Sequence, residues 1–150
     1  MKTRFAAERR MGVAPDVVYH CIADYREHHN PDGFLPPSFS DFQIITGGMG
    51  AGTELTWVTE AGGNKRRIDA VVSEPTPGRV LVETSPSIVT TFTVEPADSG
   101  SLVRFDTEID DGGVKGVLTR LFAPRMLVPI YEDELKRLED YAKAHGPVPA

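Results

Sequence analysis

Titratable side chains are densest between positions 20 and 32 of the chain. Imidazole, carboxylate and phenol groups follow one another here, at His20, Asp24, Tyr25, His28, His29 and Asp32. Such groups can bind a transition metal or transfer protons. Adjacent His28 and His29 point in different directions on a helix and are poor joint ligands, so the sequence predicts no metal. Tyr25 and His28 are candidate acid–base groups at a pocket mouth, against the alternative of hydrated side chains.

Four arginines are candidate partners for an acidic or carbonyl-bearing ligand: Arg66, Arg67, Arg104 and Arg125. Strand parity turns Arg67 and Arg104 outward. Arg125 lies on or beside an apolar helical stripe, so it is a candidate anchor for a ligand carboxylate or carbonyl; the alternative is a surface arginine. Tyr131 on the same stripe is a candidate hydroxyl donor and, with Arg125, a weak catalytic candidate.

The sequence argues against several other kinds of functional site. The glycines between 47 and 52 are not followed by the Lys-Ser/Thr of a phosphate-binding loop, and no serine-hydrolase or zinc-protease motif occurs. The single cysteine cannot form an internal disulfide. With 22 acidic against 16 basic residues, the net charge of −6 argues against nucleic-acid binding. We therefore expect no cofactor and no nucleic-acid partner.

The start of the chain, MKTRFAAERRMG, lacks the apolar run of a signal peptide. No stretch approaches 18 uninterrupted apolar residues, the length of a membrane-spanning helix. These features predict a cytoplasmic protein without stable membrane insertion. They make no prediction of oligomeric state.

Two patterns in the sequence predict the strands and helices that position these groups. Between clusters of Gly, Pro and Asp lie runs that alternate apolar and polar residues, most clearly LVRFDTEI, where Val103, Phe105, Thr107 and Ile109 share one face. Pro15 and Asp16 predict the start of a short helix. A long helix is predicted from about Lys115 to His145, with a kink or break at Pro124 and Pro129. The sequence thus predicts one domain over residues 1–150, with six to seven antiparallel strands and helices at both ends.

Four segments resemble the SRPBCC superfamily, whose members include START lipid-transfer domains, the major birch-pollen allergen and bacterial polyketide cyclase/dehydrase-like proteins. These segments are APDVVYHCIADY, HNPDGFLPPSFSDFQII, GGMGAGTELTW and RLFAPRMLVPIYEDELKRLEDYAKAH. The resemblance implies an α+β helix-grip fold, with a curved antiparallel sheet around the long C-terminal helix and two short helices after strand one.

The resemblance also implies an apolar cavity between sheet and helix. Residues expected to contact a ligand there are Leu55, Trp57, Phe92, Phe105, Phe122, Arg125 and Met126; the alternative for each apolar one is core packing. The implied function is binding of a hydrophobic small molecule of lipid, polyketide or aromatic type. Two alternatives are a polyketide cyclase or dehydratase-like enzyme, and a protein-interaction module with a vestigial cavity.

Overall fold

The computed structural model describes residues 2–61, 63–110 and 113–145, with the side chains of 64 and 113–122 left undescribed. Strands and helices follow in the order β1 (Lys2–Met11), α1 (Pro15–Ala23), β2 (Phe39–Thr46), β3 (Glu54–Ala61), β4 (Asn64–Thr76), β5 (Val80–Thr84), β6 (Ile88–Ala97), β7 (Gly100–Asp110) and α2 (Gly113–His145). The seven strands form one antiparallel sheet in the order β1-β7-β6-β5-β4-β3-β2. This arrangement confirms the predicted α+β helix-grip fold.

Alternation of side chains gives the sheet one buried and one wet face. Phe92 pairs with Phe105 and Val94 with Val103 across β6 and β7, and all four are at most 3% exposed. Arg104, between two of them, is exposed. Because successive residues of a strand point to opposite faces, this period-two pattern is enough to assign the core face of β7.

Helix α2 packs mainly along β1, at one edge of the sheet. Leu135, Leu138 and Ala142 are at most 1% exposed and form its buried stripe. Arg9 on β1 donates to Glu139 of α2 at 2.7 Å, and this contact fixes the helix along the strand. Within the described residues, no helix combines the length and apolar character needed to cross a membrane.

Of the two outcomes predicted at the prolines, a kink or a break, the break does not occur, because one helix continues through Pro124 and Pro129. Pro129 is exposed. The carbonyl that its missing N–H leaves without a helical partner therefore lies on the solvent side, where water can satisfy it.

The second short helix expected after strand one is absent; the chain forms turns there instead. Asn30 explains the difference, because its side-chain oxygen accepts from the backbone N–H groups of Asp32 and Gly33, at 2.9 and 3.1 Å. Its side-chain nitrogen donates to the carbonyls of Tyr25 and Arg26. Such side-chain bonds compete with helical backbone bonds, and Pro31 follows directly.

The glycine-rich hairpin between β2 and β3 holds the end of α1 in place. Gly50 has a φ of 59°, and a Cβ at this position would collide with the Glu74 carboxylate. That carboxylate accepts from the Ala51 N–H and from the Tyr19 hydroxyl, both at 2.7 Å. The hairpin and the first helix are thereby tied to the same acidic side chain.

Candidate functional site

A cavity of about 670 Å³ lies between the inner face of the sheet and α2. Its walls are mostly apolar and come from strands β2 and β3, from the central strands of the sheet and from one side of α2. Side chains on these walls include Phe42, Leu55, Trp57, Ile68, Ile88, Phe92, Ile109, Met126 and Leu127. Cavities of this size and character accommodate small organic molecules.

Four of the seven expected ligand residues line this cavity: Leu55, Trp57, Phe92 and Met126. Phe105 does not, although it shares a face with Thr107 and Ile109, which do. Its ring is fully buried, packed edge-on against Phe92 with ring centroids 4.7 Å apart and against Tyr131 at 6.2 Å. Those two rings separate it from the cavity. The Phe122 side chain lies outside the described residues.

Arg125 is exposed and does not line the cavity. Its helix neighbours Ala123, Met126 and Leu127 do. Ala123 and Leu127 are each two residues from Arg125, and residues two apart on a helix point in nearly opposite directions. The basic side chains that reach the cavity wall are instead Lys65 and Arg66, on β4.

Among the four catalytic candidates, Tyr25 and Tyr131 line the cavity. The Tyr25 hydroxyl donates to Oε2 of Glu83 at 2.6 Å, and both side chains are buried. Burial raises the pKa of Glu83 to about 7, and the hydrogen bond from Tyr25 partly offsets this rise. Burial, followed by the nearby Glu83 charge, raises the pKa of Tyr25 well above its usual range.

His29 and Glu134 form the second polar pair of the cavity wall, and they are 4% and 3% exposed. Their Nε2 and Oε2 atoms are 3.7 Å apart. This separation would suit an ion pair, yet burial lowers the pKa of His29 to about 4 and raises that of Glu134 well above its usual range. Because both groups are desolvated, burial favours the neutral form of each over an ion pair.

The neutral form of His29 has a defined tautomer. Its Nδ1 lies 2.8 Å from the carbonyl oxygen of Ile22. A carbonyl only accepts, so Nδ1 carries the proton and Nε2 presents its lone pair towards Glu134. The Nε2 atom can therefore accept a proton or a hydrogen bond.

Tyr131, on α2 one turn before Glu134, is held by threonines of the sheet. Its hydroxyl oxygen accepts from Oγ1 of Thr107 at 2.9 Å, and Thr107 in turn lies 3.0 Å from Oγ1 of Thr90. Burial raises the pKa of Tyr131 to about 12, so the phenol stays protonated at neutral pH. The cavity therefore combines apolar walls with several buried proton donors and acceptors.

The groups that sequence reasoning missed are Glu83, Glu134 and His29. Glu134 lies three residues after Tyr131 and four before Leu138, and this spacing places it on the buried stripe of α2. Glu83 lies two residues after the fully buried Leu81, so strand parity already turned it inward. The spacing along the helix and the alternation along the strand could therefore have identified both glutamates as buried.

His28, the fourth catalytic candidate, lies outside the cavity. Its Nδ1 is 2.6 Å from the Tyr141 hydroxyl, and its Nε2 is 3.9 Å from Oδ2 of Asp24. His20 lies equally far, 3.9 Å, from the same oxygen. Sequence reasoning weighed the adjacent pair His28 and His29, which do diverge, and overlooked the four-residue spacing of His20, Asp24 and His28.

Solved structures similar to this one cover nearly its whole length. The KanY protein is 28% identical, with a TM-score of 0.81 over 95% of this chain and 99% of that one. TTHA0849 from Thermus thermophilus is 20% identical, with a TM-score of 0.73 over 98% and 100%. The di-domain ARO/CYC StfQ from the steffimycin biosynthetic pathway is 13% identical, with a TM-score of 0.77 over 97% of this chain and 52% of that one.

A search of curated proteins found no match. Residues 2–143, in contrast, match the family described as polyketide cyclase / dehydrase and lipid transport. The match spans both the cavity walls and the buried polar groups. The chain therefore belongs to the polyketide cyclase / dehydrase and lipid transport family.

Proposed function

We propose that this protein binds a hydrophobic small molecule of polyketide or aromatic type in the cavity between the sheet and α2. The observation that carries the proposal is the cavity of about 670 Å³ with largely apolar walls. Apolar area removed from water contributes roughly 25 cal/mol per Å² before ordering costs, so burial of a flat ring system supplies most of the affinity.

The polar groups favour a ligand with oxygen functions at one end. Glu83 and Glu134 face the cavity from β5 and α2, and both are more than nine-tenths buried. A ketone or hydroxyl group can exchange hydrogen bonds with these two carboxyl groups, whereas a pure hydrocarbon would offer them none. An oxygenated ring or poly-ketone chain fits this wall better than an alkane.

The experiment is a titration with N-phenyl-1-naphthylamine, an uncharged dye whose fluorescence rises in apolar surroundings. Trp57, the only tryptophan, lines the cavity, so energy transfer from its indole to the dye reports proximity. Ala123 faces the cavity and Arg125 faces solvent on the same helix. Ala123→Phe should weaken dye binding by about tenfold or more, since the added ring occupies ligand volume.

Arg125→Phe is the matched control, because it adds the same ring outside the cavity. We expect its dye affinity to stay within about twofold of wild type, the range of a surface change. If both variants bind the dye as the wild type does, the cavity is not the binding site.

A second function, proton-transfer catalysis of the cyclase or dehydratase class, is favoured by the buried acid pair. A group whose pKa is about 7, such as Glu83, both accepts and donates protons near neutral pH. In a cyclising aldol reaction, the Glu83 carboxylate would take a proton from the carbon beside a ketone. That carbon would attack a second carbonyl, whose oxygen would gain a proton from Glu134 to become a hydroxyl.

Dehydration would follow on the same two groups. Glu83 would first pass its proton to the Glu134 carboxylate through solvent, which resets both groups. The Glu83 carboxylate would then remove a second proton from the attacking carbon, and the hydroxyl would leave as water with the proton of Glu134. StfQ, an ARO/CYC protein of the same fold, comes from a biosynthetic pathway and is consistent with this class. The sequence-based alternative of a vestigial, filled cavity is not favoured by a cavity of this volume.

Binding and catalysis are separated by Glu83→Gln, which keeps the shape of the side chain but cannot accept a proton. With a synthetic aromatic poly-β-ketone as substrate, we expect dye binding within about twofold and a loss of product formation of at least 100-fold, the usual range for a general base. Glu132→Gln, on the exposed side of α2, should change neither. Product formed equally by wild type and Glu83→Gln would exclude Glu83 as the base.

A further inference from the structure

His20, Asp24 and His28 converge outside the cavity. They follow one another at four-residue spacing. The bond from Asp24 N to His20 O closes the last turn of α1, and the bond from His28 N to Asp24 O closes a separate turn after Asp24, whose own backbone is extended. One candidate ligand atom from each residue lies within 4.8 Å of the others. Both imidazole Nε2 atoms are 3.9 Å from Oδ2 of Asp24.

Asp24 is held rigidly at the centre of this group. Its Oδ1 accepts from the backbone N–H groups of Arg26 and Glu27, each at 3.0 Å. Its backbone pairs with Met49 of the glycine-rich hairpin. With Oδ1 occupied and the side chain only 7% exposed, Oδ2 is left directed at the two histidines.

Tyr141 sets the tautomer of His28. The Tyr141 hydroxyl donates its single proton to the carbonyl oxygen of Glu27 at 3.1 Å, so its oxygen accepts from Nδ1 of His28 at 2.6 Å. A neutral imidazole with its proton on Nδ1 has its lone pair on Nε2. Histidines that bind metals typically donate their other ring N–H to an oxygen in this way.

The three converging side chains are close together but do not bond to one another. The ring centroids of His20 and His28 are 5.4 Å apart. At 3.9 Å the two Nε2 atoms are too far from Oδ2 for hydrogen bonds.

We propose that His20, Asp24 and His28 form a binding site for a divalent late transition metal, of the Zn²⁺ or Ni²⁺ class. Two imidazoles and one carboxylate suit these ions, whereas Mg²⁺ and Ca²⁺ prefer oxygen ligands only. Ligand atoms of a tetrahedral zinc ion lie about 3.3 Å apart, given bonds of about 2.0 Å. The His20 side chain is 41% exposed and can rotate to close the remaining distance.

This site is separate from the proposed ligand cavity, since none of its three residues lines the cavity wall. It also departs from the sequence-based prediction of no metal, which rested on His28 and His29. The remaining coordination positions face solvent on the His20 side, where water or a small anion can complete the shell.

The test uses the full chain without a histidine tag, dialysed against chelator, and titrated with Co²⁺ and Zn²⁺. We expect one ion per chain and visible Co²⁺ absorption bands typical of nitrogen and oxygen ligands. His20→Ala, Asp24→Asn and His28→Ala should each weaken binding by at least about tenfold. Asp24→Asn is informative because it keeps the Oδ1 acceptor and replaces Oδ2 with an N–H donor.

His145→Ala is the matched control, because it removes a nearby histidine that is not among the three converging residues. Its affinity for Co²⁺ should stay within about twofold of wild type. His20→Ala is expected to fold, since the side chain is partly exposed, so it remains decisive if Asp24→Asn does not fold. Unchanged affinity in His20→Ala, equal losses in His20→Ala and His145→Ala, or no stoichiometric binding would overturn the proposal.

Discussion

Two consecutive histidines of this protein lie in opposite environments. His29 is buried in the cavity wall beside Glu134, whereas His28 faces the outer group of His20 and Asp24. Both have Nδ1 donating to an oxygen and Nε2 presenting a lone pair. The same chemical group is therefore set for proton chemistry on the inside and for metal binding on the outside, and the difference lies in burial and neighbouring carboxyls.

The carboxyl groups show the same contrast. Inside, Glu83 and Glu134 are desolvated and have raised pKa values. Outside, the Asp24 side chain is also poorly exposed, but its Oδ1 accepts hydrogen bonds from two backbone N–H groups. Desolvation therefore dominates at the two inner carboxyl groups, whereas backbone donors fix the position of the Asp24 side chain.

The largest expected effect on stability comes from placing a charge in the protein interior, and it tests the contrast between the buried and the outer side chains. Phe105→Asp should destabilise the fold by more than about 4 kcal/mol, because a fully buried side chain would be replaced by an unpaired charge. Urea unfolding followed by circular dichroism measures the change. On the outer face, His20→Ala should cost less than about 0.5 kcal/mol. Similar losses at the two positions would mean that the inside and outside do not differ as described.

The next effect is on pH dependence. A carboxyl with a raised folded pKa contributes stability at low pH that is lost as pH rises through that pKa, here from 4.5 to about 7 for Glu83. His29, with a pKa lowered to about 4, acts in the opposite direction between pH 4 and 6.5. At about 1.4 kcal/mol per unit, each contributes about 3 kcal/mol, and the two largely cancel in the wild type.

Glu83→Gln should remove only the first contribution. Its free energy of unfolding, measured with urea between pH 5 and pH 8, should increase with pH by about 2–3 kcal/mol more than that of the wild type. Loss of Glu83 also removes one cause of the raised pKa of Glu134, which acts in the same direction. Glu132→Gln, on the exposed side of α2, should follow the wild-type curve. Parallel curves for Glu83→Gln and wild type would contradict the raised pKa.

A smaller effect separates two tyrosine hydroxyls. Tyr25→Phe removes the buried hydrogen bond to Glu83 and should cost about 1–2 kcal/mol, since the carboxyl loses its partner away from water. Tyr141→Phe removes the bonds to His28 and Glu27 at the half-exposed outer face and should cost about 0.5–1 kcal/mol. Chemical denaturation of both variants measures the two losses in unfolding free energy. A larger loss for Tyr141→Phe than for Tyr25→Phe would contradict the contrast between the inner and outer sites.

The smallest expected effect concerns Arg125. Because this side chain is exposed and does not line the cavity, Arg125→Ala should change the affinity for a fluorescent fatty acid and for its methyl ester by less than about twofold. Fluorescence titration with both ligands tests this. A selective loss of the acid would restore the sequence-based role of Arg125 as an anchor, in which case the helix must rotate or bend when a ligand binds.

Local periodicity predicted the strands, the first helix and the long C-terminal helix, together with their buried faces. The alternation of Val103, Phe105, Thr107 and Ile109 assigned the core side of β7, and the stripe through Leu135 and Leu138 assigned that of α2. These predictions depend on side-chain direction within one strand or helix, which the backbone repeat alone defines.

How deeply each side chain is buried, and which residue it contacts, depended on how segments distant in the sequence pack together. Phe92 and Phe105 share one pattern, yet only Phe92 reaches the cavity, because Tyr131 of α2 covers the other ring. The Tyr25 to Glu83 bond and the Tyr141 to His28 contact join residues 58 and 113 positions apart. No local pattern encodes such a distance, since it follows from how the sheet and the helix close on each other. The periodicities of the sequence therefore defined which side chains point inward, and tertiary packing decided which of them meet, which stay dry and which protons they hold.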